Sequence, residues 1–219
     1  MKVQSKKDGV SSVARSQEQN EKMRLERKEQ IMAAALREFS AKGLYATKIK
    51  DIAEYVGMAQ GLIYHYFKSK EDIFTELVTD ALDKMNDAVI ELGKMPLPPH
   101  EKIKAAIKQL LYTIETSERF NQTCCLINQA ANSTALPANI KEVIDQKRDV
   151  PYRELAKIIA AGQQEGTVVA GDPQALALVF WTSINGLAIY KATRQNNVTL
   201  PDAGILINMF VKEQNNGKN

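Results

Sequence analysis

The chain has 219 residues, 44% of them hydrophobic and 25% charged, a composition typical of a globular protein with a sizeable core. Its net charge of +3 is uneven, because residues 1–70 carry 14 Lys and Arg against 8 Asp and Glu. This basic third predicts contact with a polyanion. The two cysteines are adjacent, which excludes a disulfide scaffold. We expect a cytoplasmic protein without membrane contact, since no apolar run approaches ~20 residues and no signal peptide is visible.

The N-terminal third predicts a tail followed by four helices. Residues 1–20 are polar and lack a hydrophobic period, so we expect them to be flexible. Glycines at 43 and 57 and potential capping residues at 47 and 69 separate the elements that follow. The predicted helices are Glu21–Lys42, Thr47–Val56, Ala59–Tyr66 and a long helix that begins after Ser69.

The rest of the chain also carries apolar residues at helical spacing. Prolines at 99, 137 and 173 and a glycine at 166 interrupt the pattern. Only Gly166–Ala170 has β-like composition, and it is too short and isolated to form a sheet. The chain is therefore predicted to be all-α, with about nine helices. Residues 73–89 continue the long helix that begins after Ser69, and the later helices are predicted at residues 103–114, 120–131, 152–164, 173–195 and 201–214.

The segment Thr47–Phe74, TKIKDIAEYVGMAQGLIYHYFKSKEDIF, has the pattern of a DNA-reading helix-turn-helix. Such a motif braces one helix on the phosphate backbone and lays the next in the major groove. Gln60 and Gly61 begin the second short helix, where glutamine can pair with adenine and glycine allows close approach. Successive helical residues lie ~100° apart, so the three rings at positions 64–66 cannot all face a core. DNA binding is therefore favoured over a purely structural aromatic cluster.

Cations flank this segment where phosphates would lie. Lys48 begins the bracing helix, and Lys70 begins the long helix, whose positive dipole end attracts anions, with Lys68 nearby. The tail of residues 1–20 offers a further basic arm. Its few scattered cations are more typical of an arbitrary terminus.

Residues 25–75 resemble the DNA-binding domain of the TetR family of transcriptional regulators. The resemblance implies a three-helix DNA-binding domain over residues 21–70 and a helical ligand-binding and dimerisation domain over residues 71–219. It implies a ligand-responsive regulator, most commonly a repressor, that binds a palindromic operator as a homodimer and is released by a small molecule. The matching residues are Ala34, Phe39, Gly43, Thr47, Ile52, Ala53, Val56, Gly57 and the segment Gly61–Phe74. The family's operator contacts correspond to Thr47, Lys48, Gln60, Gly61, Tyr64, His65, Tyr66 and Lys70.

The same resemblance places the inducer pocket and the dimer interface in the C-terminal domain. The pocket would lie between helices of residues 103–195, and the interface would use the last two long helices. Each candidate side chain in the two sets that follow is also compatible with ordinary packing inside one chain. The candidate ligand contacts are Tyr112, Phe120, Cys124, Asn128, Trp181 and Asn185. The candidate interface residues are Leu176, Val179, Phe180, Ile184, Leu187, Met209 and Phe210.

Other classes of function find little support in the sequence. We expect no enzyme and no cofactor, because the chain lacks a Gly-rich phosphate loop and a Gly-x-Ser-x-Gly elbow. Two histidines and the pair Cys124 and Cys125 make a tetrahedral metal site hard to assemble, and adjacent cysteines are more often buried apolar residues than redox sensors. An architectural DNA-binding protein without ligand control and a helical scaffold or adaptor remain the alternatives.

Overall fold

The computed structural model describes residues 7–131, 133, 136–194 and 198–213. Ten helices and no β-strand occur in these residues, so the all-α prediction is confirmed. Two compact units divide the chain after Phe74, within the fourth helix, whereas the sequence suggested a boundary at residue 70. The helices are α1 Lys7–Ala46, α2 Ile49–Val56, α3 Gln60–Ile63, α4 Lys70–Lys94, α5 Pro99–Thr116, α6 Glu118–Ala131, α7 Ala138–Arg148, α8 Val150–Gln164, α9 Pro173–Thr193 and α10 Ala203–Phe210.

The first unit packs α1, α2, α3 and the start of α4 around a small apolar core. Phe39 of α1 and Phe74 of α4 are both fully buried, and their rings meet edge to face with centroids 5.4 Å apart. Such pairs add about 0.5–1.5 kcal/mol beyond area burial. This contact and the burial of Ile31, Ile52 and Ile63 position the short helices.

Helix α1 begins earlier than the sequence suggested. Residues 7–20, expected to be a flexible tail, belong to α1, and residues 1–6 lie outside the described residues. The composition of residues 17–30 explains part of this earlier start. Gln, Glu, Lys and Arg dominate the segment, and their side chains lose little rotamer freedom in a helix. Near the other end, Gly43 has φ 79°, so the helical path breaks close to where the sequence predicted.

The second unit has its core between α5, α6, α8 and α9. Phe180 is edge-on to Trp181 and Phe210, with centroids 5.3 Å and 5.6 Å away. The Trp181 indole N–H donates to the Pro151 carbonyl at 3.1 Å, which satisfies a polar group that burial would otherwise penalise. The apolar period of residues 103–114 is confirmed, because every third or fourth residue from Ile103 to Ile114 is buried.

The loop between α8 and α9 is fastened to the segment after α10. The Val169 N–H donates to the Phe210 carbonyl at 2.9 Å, and the Lys212 N–H donates to the Thr167 carbonyl at 3.0 Å. The pairing ends after the single bridge Val168–Val211, which agrees with the expectation that this run forms no sheet. Helix α7 was not predicted, because Ile144 is the one fully buried residue among its described side chains and leaves little apolar period to detect.

Candidate nucleic-acid interface

Local backbone signals place α2 and the turn after it. The carboxylate of Asp51 accepts the Lys48 N–H at 3.3 Å, and this hydrogen bond holds the pKa of Asp51 below its usual range. At the other end Gly57 has φ 65° and ψ 31°, the left-handed conformation that a side chain would strain. The Met58 N–H then donates to the Ala53 carbonyl at 3.0 Å. The predicted glycine turn is thus present.

Helix α3 presents a polar end outward from an apolar anchor. Ile63, the last residue of the helix, is 0% exposed, and Phe67, after the turn that follows it, is 5% exposed, so both anchor this segment in the fold. Gln60 and His65 are exposed, and Tyr64 is 50% exposed. A Cβ added to Gly61 would meet no atom within 4 Å, so a molecule can approach the backbone closely there.

The exposed residues of α3 border a groove that also takes in the starts of α2 and α4. Lys48, Lys50 and Lys68 line it together with Gln60 and Tyr64. Helix N-termini add partial positive charge from unpaired N–H groups. The groove can therefore bind phosphates, while Gln60 can donate to and accept from a base edge. Tyr66 is half-buried and lies outside the groove lining.

Thr47 does not have the role that the sequence suggested. It is 0% exposed, and α2 is capped at Lys48 instead. The Thr47 hydroxyl donates to the Gly43 carbonyl at 2.8 Å and lies 3.2 Å from the Glu38 carbonyl oxygen. The expectation of a side-chain contact with DNA is corrected accordingly, because the hydroxyl joins α1 to α2 from within the fold.

Lys70 is also turned inward. Its ammonium group donates to the carbonyl oxygens of Leu44, Tyr45 and Thr47 at 2.8, 3.0 and 3.0 Å. An ammonium group has three protons, so these contacts use all of them. The predicted phosphate anchor is therefore corrected to a residue that closes the end of α1, although its charge still borders the groove.

Replacing Lys70 with methionine is expected to lower the free energy of unfolding by about 2 kcal/mol, because three carbonyl groups lose a charged donor. The matched control is Lys68→Met, at an exposed lysine two residues earlier, with an expected change within about 0.5 kcal/mol. Urea unfolding followed by circular dichroism measures both. Equal losses for the two variants would contradict the capping role.

The candidate ligand contacts are dispersed between surface and core. Tyr112 is 64% exposed and Asn128 is exposed, whereas Cys124 and Trp181 are buried. The two remaining candidates, Phe120 and Asn185, are half-buried. Their assignment to an inducer pocket stays a prediction.

Cys124 and Cys125 lack the properties of a thiol sensor. Burial raises the pKa of the Cys124 thiol to about 12, and it raises the pKa of Cys125 as well. The reactive thiolate is therefore scarce at neutral pH. The described residues contain no group of three His, Cys, Asp or Glu side chains placed to hold a metal ion.

The expected dimer interface is partly wrong. Phe180, Ile184 and Phe210 are 2%, 1% and 1% exposed within a single chain, so they cannot contribute new surface to a partner. Leu176 and Leu187 are half-buried against the same core. The exposed apolar residues of α9 and α10, named here the α9–α10 apolar residues, are Leu178, Val179, Tyr190, Ile205 and Met209.

Sequence periodicity could not separate the exposed residues of α9 from the buried ones, because α9 is apolar on nearly every side. Pro173–Thr193 has 21 residues and is long and apolar enough, by length and composition alone, to cross a membrane. Its buried face includes Ala177, Trp181 and Ala188. Those residues identify α9 as a core helix whose other side remains exposed and apolar.

Comparison with known proteins agrees with both units. Residues 31–77 match the model "Bacterial regulatory proteins, tetR family", and residues 99–200 match "Tetracyclin repressor-like, C-terminal domain". The HTH-type transcriptional regulator YhgD of Bacillus subtilis is 29% identical over 157 residues, 72% of this chain and 80% of the relative. The repressor KstR2 of Mycolicibacterium smegmatis is 30% identical over 111 residues, 51% of this chain and 53% of the relative.

A solved structure shows the same fold at lower identity. The structure of AibR in complex with isovaleryl coenzyme A and operator DNA has a TM-score of 0.69 and 20% identity, covering 84% of this chain and 97% of that one. The first family model lies mainly in the first unit and contains the helix-turn-helix of α2 and α3. The second family model lies within the second unit. This protein belongs to the TetR family of transcriptional regulators.

Proposed function

We propose that this protein is a ligand-responsive repressor that binds a palindromic operator as a homodimer and leaves it when a small molecule binds. The observation that carries the proposal is the exposed polar end of α3. Gln60 and Gly61 stand clear of the fold there, while Ile63 and Phe67 hold the helix from behind. This arrangement lets a short helix enter a major groove without moving its anchor.

The groove beside α3 supports the division between base reading and phosphate binding. Gln60 is the proposed base reader, because a glutamine amide makes a two-pronged contact with adenine. Lys48, Lys50 and Lys68 are the proposed phosphate contacts, with Tyr64 beside them. His65 and Tyr66 would contact the backbone at the other end of α3. Specificity and salt dependence would then come from different residues.

Dimerisation is proposed through the α9–α10 apolar residues. Five large apolar side chains of these two helices are 39–60% exposed, and association with a second chain would remove them from water. A two-fold symmetric pair would place two copies of α3 on one DNA face, so the operator would be a palindrome. The AibR complex contains operator DNA and a coenzyme A ester, which supports ligand control without identifying this protein's ligand.

The remaining assignments follow from this function. The inducer would bind within the second unit, and its chemical identity stays open. The protein would act in the cytoplasm, where the DNA is, and would need no catalytic activity or cofactor. Repression is favoured over activation because KstR2, a relative, is a repressor.

The proposal is tested by binding to DNA from the promoter regions beside its own gene. Electrophoretic mobility shift at several salt concentrations should show tight, salt-dependent binding to one fragment, and a small molecule related to the neighbouring genes should weaken it. If the protein binds none of these fragments at low salt, the proposal is wrong. Equal affinity for bulk DNA, with no response to any ligand, would favour the architectural alternative.

Gln60→Ala is expected to lower affinity for the operator by about 1–3 kcal/mol and to relax specificity at one base pair per half-site. Its affinity for random duplex should change little, because Gln60 carries no charge. The control is Gln164→Ala, at an exposed glutamine in the second unit. Anisotropy titrations with operator and random duplex measure the difference, and equal losses on both duplexes would contradict base reading.

A further inference from the structure

The N-terminal part of α1 carries a basic face beyond the matched DNA-binding domain. The family match begins at residue 31, whereas α1 begins at Lys7. Arg24, Arg27 and Lys28 precede Ile31 at helical spacing and so continue the face that is buried from Ile31 onward. We call these three residues the basic face of α1. Arg24 and Arg27 are exposed and Lys28 is half-exposed, whereas Ile31 is fully buried.

Acidic residues of the same segment avoid this face. Glu18, Glu26 and Glu29 fall on the opposite side of the helix at about 100° per residue, together with Lys22, and Glu21 lies at the edge. Two exposed glutamines, at 17 and 20, extend the basic face by one further turn. Most of the acidic side chains therefore lie on one side of α1, and the three cations of the basic face lie on the other. An ordinary solvated helix does not require this separation.

A ring contact places the basic face beside the end of α3. The Lys28 ammonium nitrogen lies 5.4 Å from the centroid of the Phe67 ring. Phe67 follows directly on the turn that carries His65 and Tyr66. Arg24 lies one turn earlier in α1, about 6 Å farther along the helix axis. The basic face thus extends outward from the edge of the surface that we propose meets DNA.

We propose that the basic face of α1 is a second contact with the same DNA duplex, on backbone phosphates that flank the base pairs read by α3. This inference rests on the proposed function. Duplex DNA carries one negative charge per ~1.7 Å of axis, so a row of cations that begins beside Phe67, after the end of α3, meets flanking phosphates when α3 lies in the groove. Guanidinium groups suit this role because they bind phosphate oxygens in pairs.

The test variant is Arg24→Gln with Arg27→Gln, which leaves Lys28 and its contact with Phe67 intact. The matched control is Lys22→Gln with Lys84→Gln, which removes the same charge from the opposite face of α1 and from α4. All four side chains are exposed, so folding should persist, and thermal unfolding verifies it. The probe is a labelled 40-base-pair duplex of arbitrary sequence, titrated by anisotropy from 50 to 200 mM KCl.

The arginine variant is expected to bind roughly 10-fold or more weakly at 100 mM salt, with a log–log salt slope smaller by about 2 per bound chain. The control should keep the wild-type slope to within the error of the titration. Equal salt slopes for the two variants would overturn this inference. If the wild-type protein still binds the duplex, the same result leaves the proposed function intact. A wild-type protein that binds neither this duplex nor any promoter fragment from beside its own gene, even at low salt, would refute the proposed function itself.

Two other occupants of the basic face give distinct results. If a second copy of the chain covers it, sedimentation will show a changed association state for the arginine variant. If an acidic protein covers it, DNA binding will be unaffected. Either outcome overturns the proposed phosphate contact.

Discussion

Replacing Phe180 with alanine is expected to lower the free energy of unfolding of the second unit by about 3–5 kcal/mol. Phe180 is 2% exposed, and its ring meets both Trp181 and Phe210 edge to face. Truncation removes these contacts and leaves a cavity that the tightly packed core cannot fill. Urea unfolding followed by far-ultraviolet circular dichroism, fitted with a shared slope, measures the loss.

The same substitution separates the two roles considered for Phe180. If Phe180 is a core residue, its replacement lowers the stability of a monomer as much as that of a dimer. The measurement is therefore repeated in a variant that cannot dimerise. Thr182→Ala, two residues along α9 and exposed, is the control and should change stability by less than about 1 kcal/mol. A small loss for Phe180→Ala combined with weaker dimerisation would restore the interface role expected from the sequence.

Leu178→Glu combined with Ile205→Glu is expected to convert the proposed dimer to monomers. These side chains are 52% and 60% exposed, so in a single chain the new carboxylates remain in water. Burial of an apolar side chain contributes about 1.5–3 kcal/mol, and a symmetric dimer buries four of them. The dimer dissociation constant should therefore rise on the order of 10⁴-fold. Sedimentation equilibrium measures it.

Loss of the dimer should also weaken operator binding, because each monomer then holds only one half-site. The matched control is Leu97→Glu with Val143→Glu, which places two carboxylates on exposed apolar positions away from α9 and α10. The control should remain dimeric. A Leu178/Ile205 variant that stays dimeric at micromolar concentration would show that the chains associate through another surface.

Sequence reasoning succeeded where local chemistry determines the structure. Gly57 adopts the left-handed conformation that its place between two short helices required. Ser69 caps α4 as expected, since its hydroxyl oxygen accepts the Asp72 N–H at 3.1 Å. Ile63 and Phe67 are buried as the spacing of apolar residues predicted. Each signal spans only a few residues, so a single sequence contains it completely.

Sequence reasoning failed where contacts join distant residues. The three carbonyl acceptors of Lys70 lie 23 to 26 positions earlier in the chain, and no local pattern indicates that its ammonium group turns inward. In α9 the difficulty is composition, because a helix that is apolar all round has no period to show which side meets a partner. Phe180 was therefore assigned to the interface although it is buried, and the exposed Leu178 was not identified.

The central claim is that α3 reads a specific DNA sequence, and selection of genomic fragments by the purified protein tests it most directly. At about 0.15 M salt, where nonspecific binding is weak, the wild type should enrich fragments that share a palindrome with half-sites about 10 base pairs apart. The variant Gln60→Ala with Tyr64→Ala should lose that enrichment while keeping its fold, because both side chains are exposed. Enrichment of no sequence above bulk DNA, or equal enrichment by both proteins, would contradict the claim.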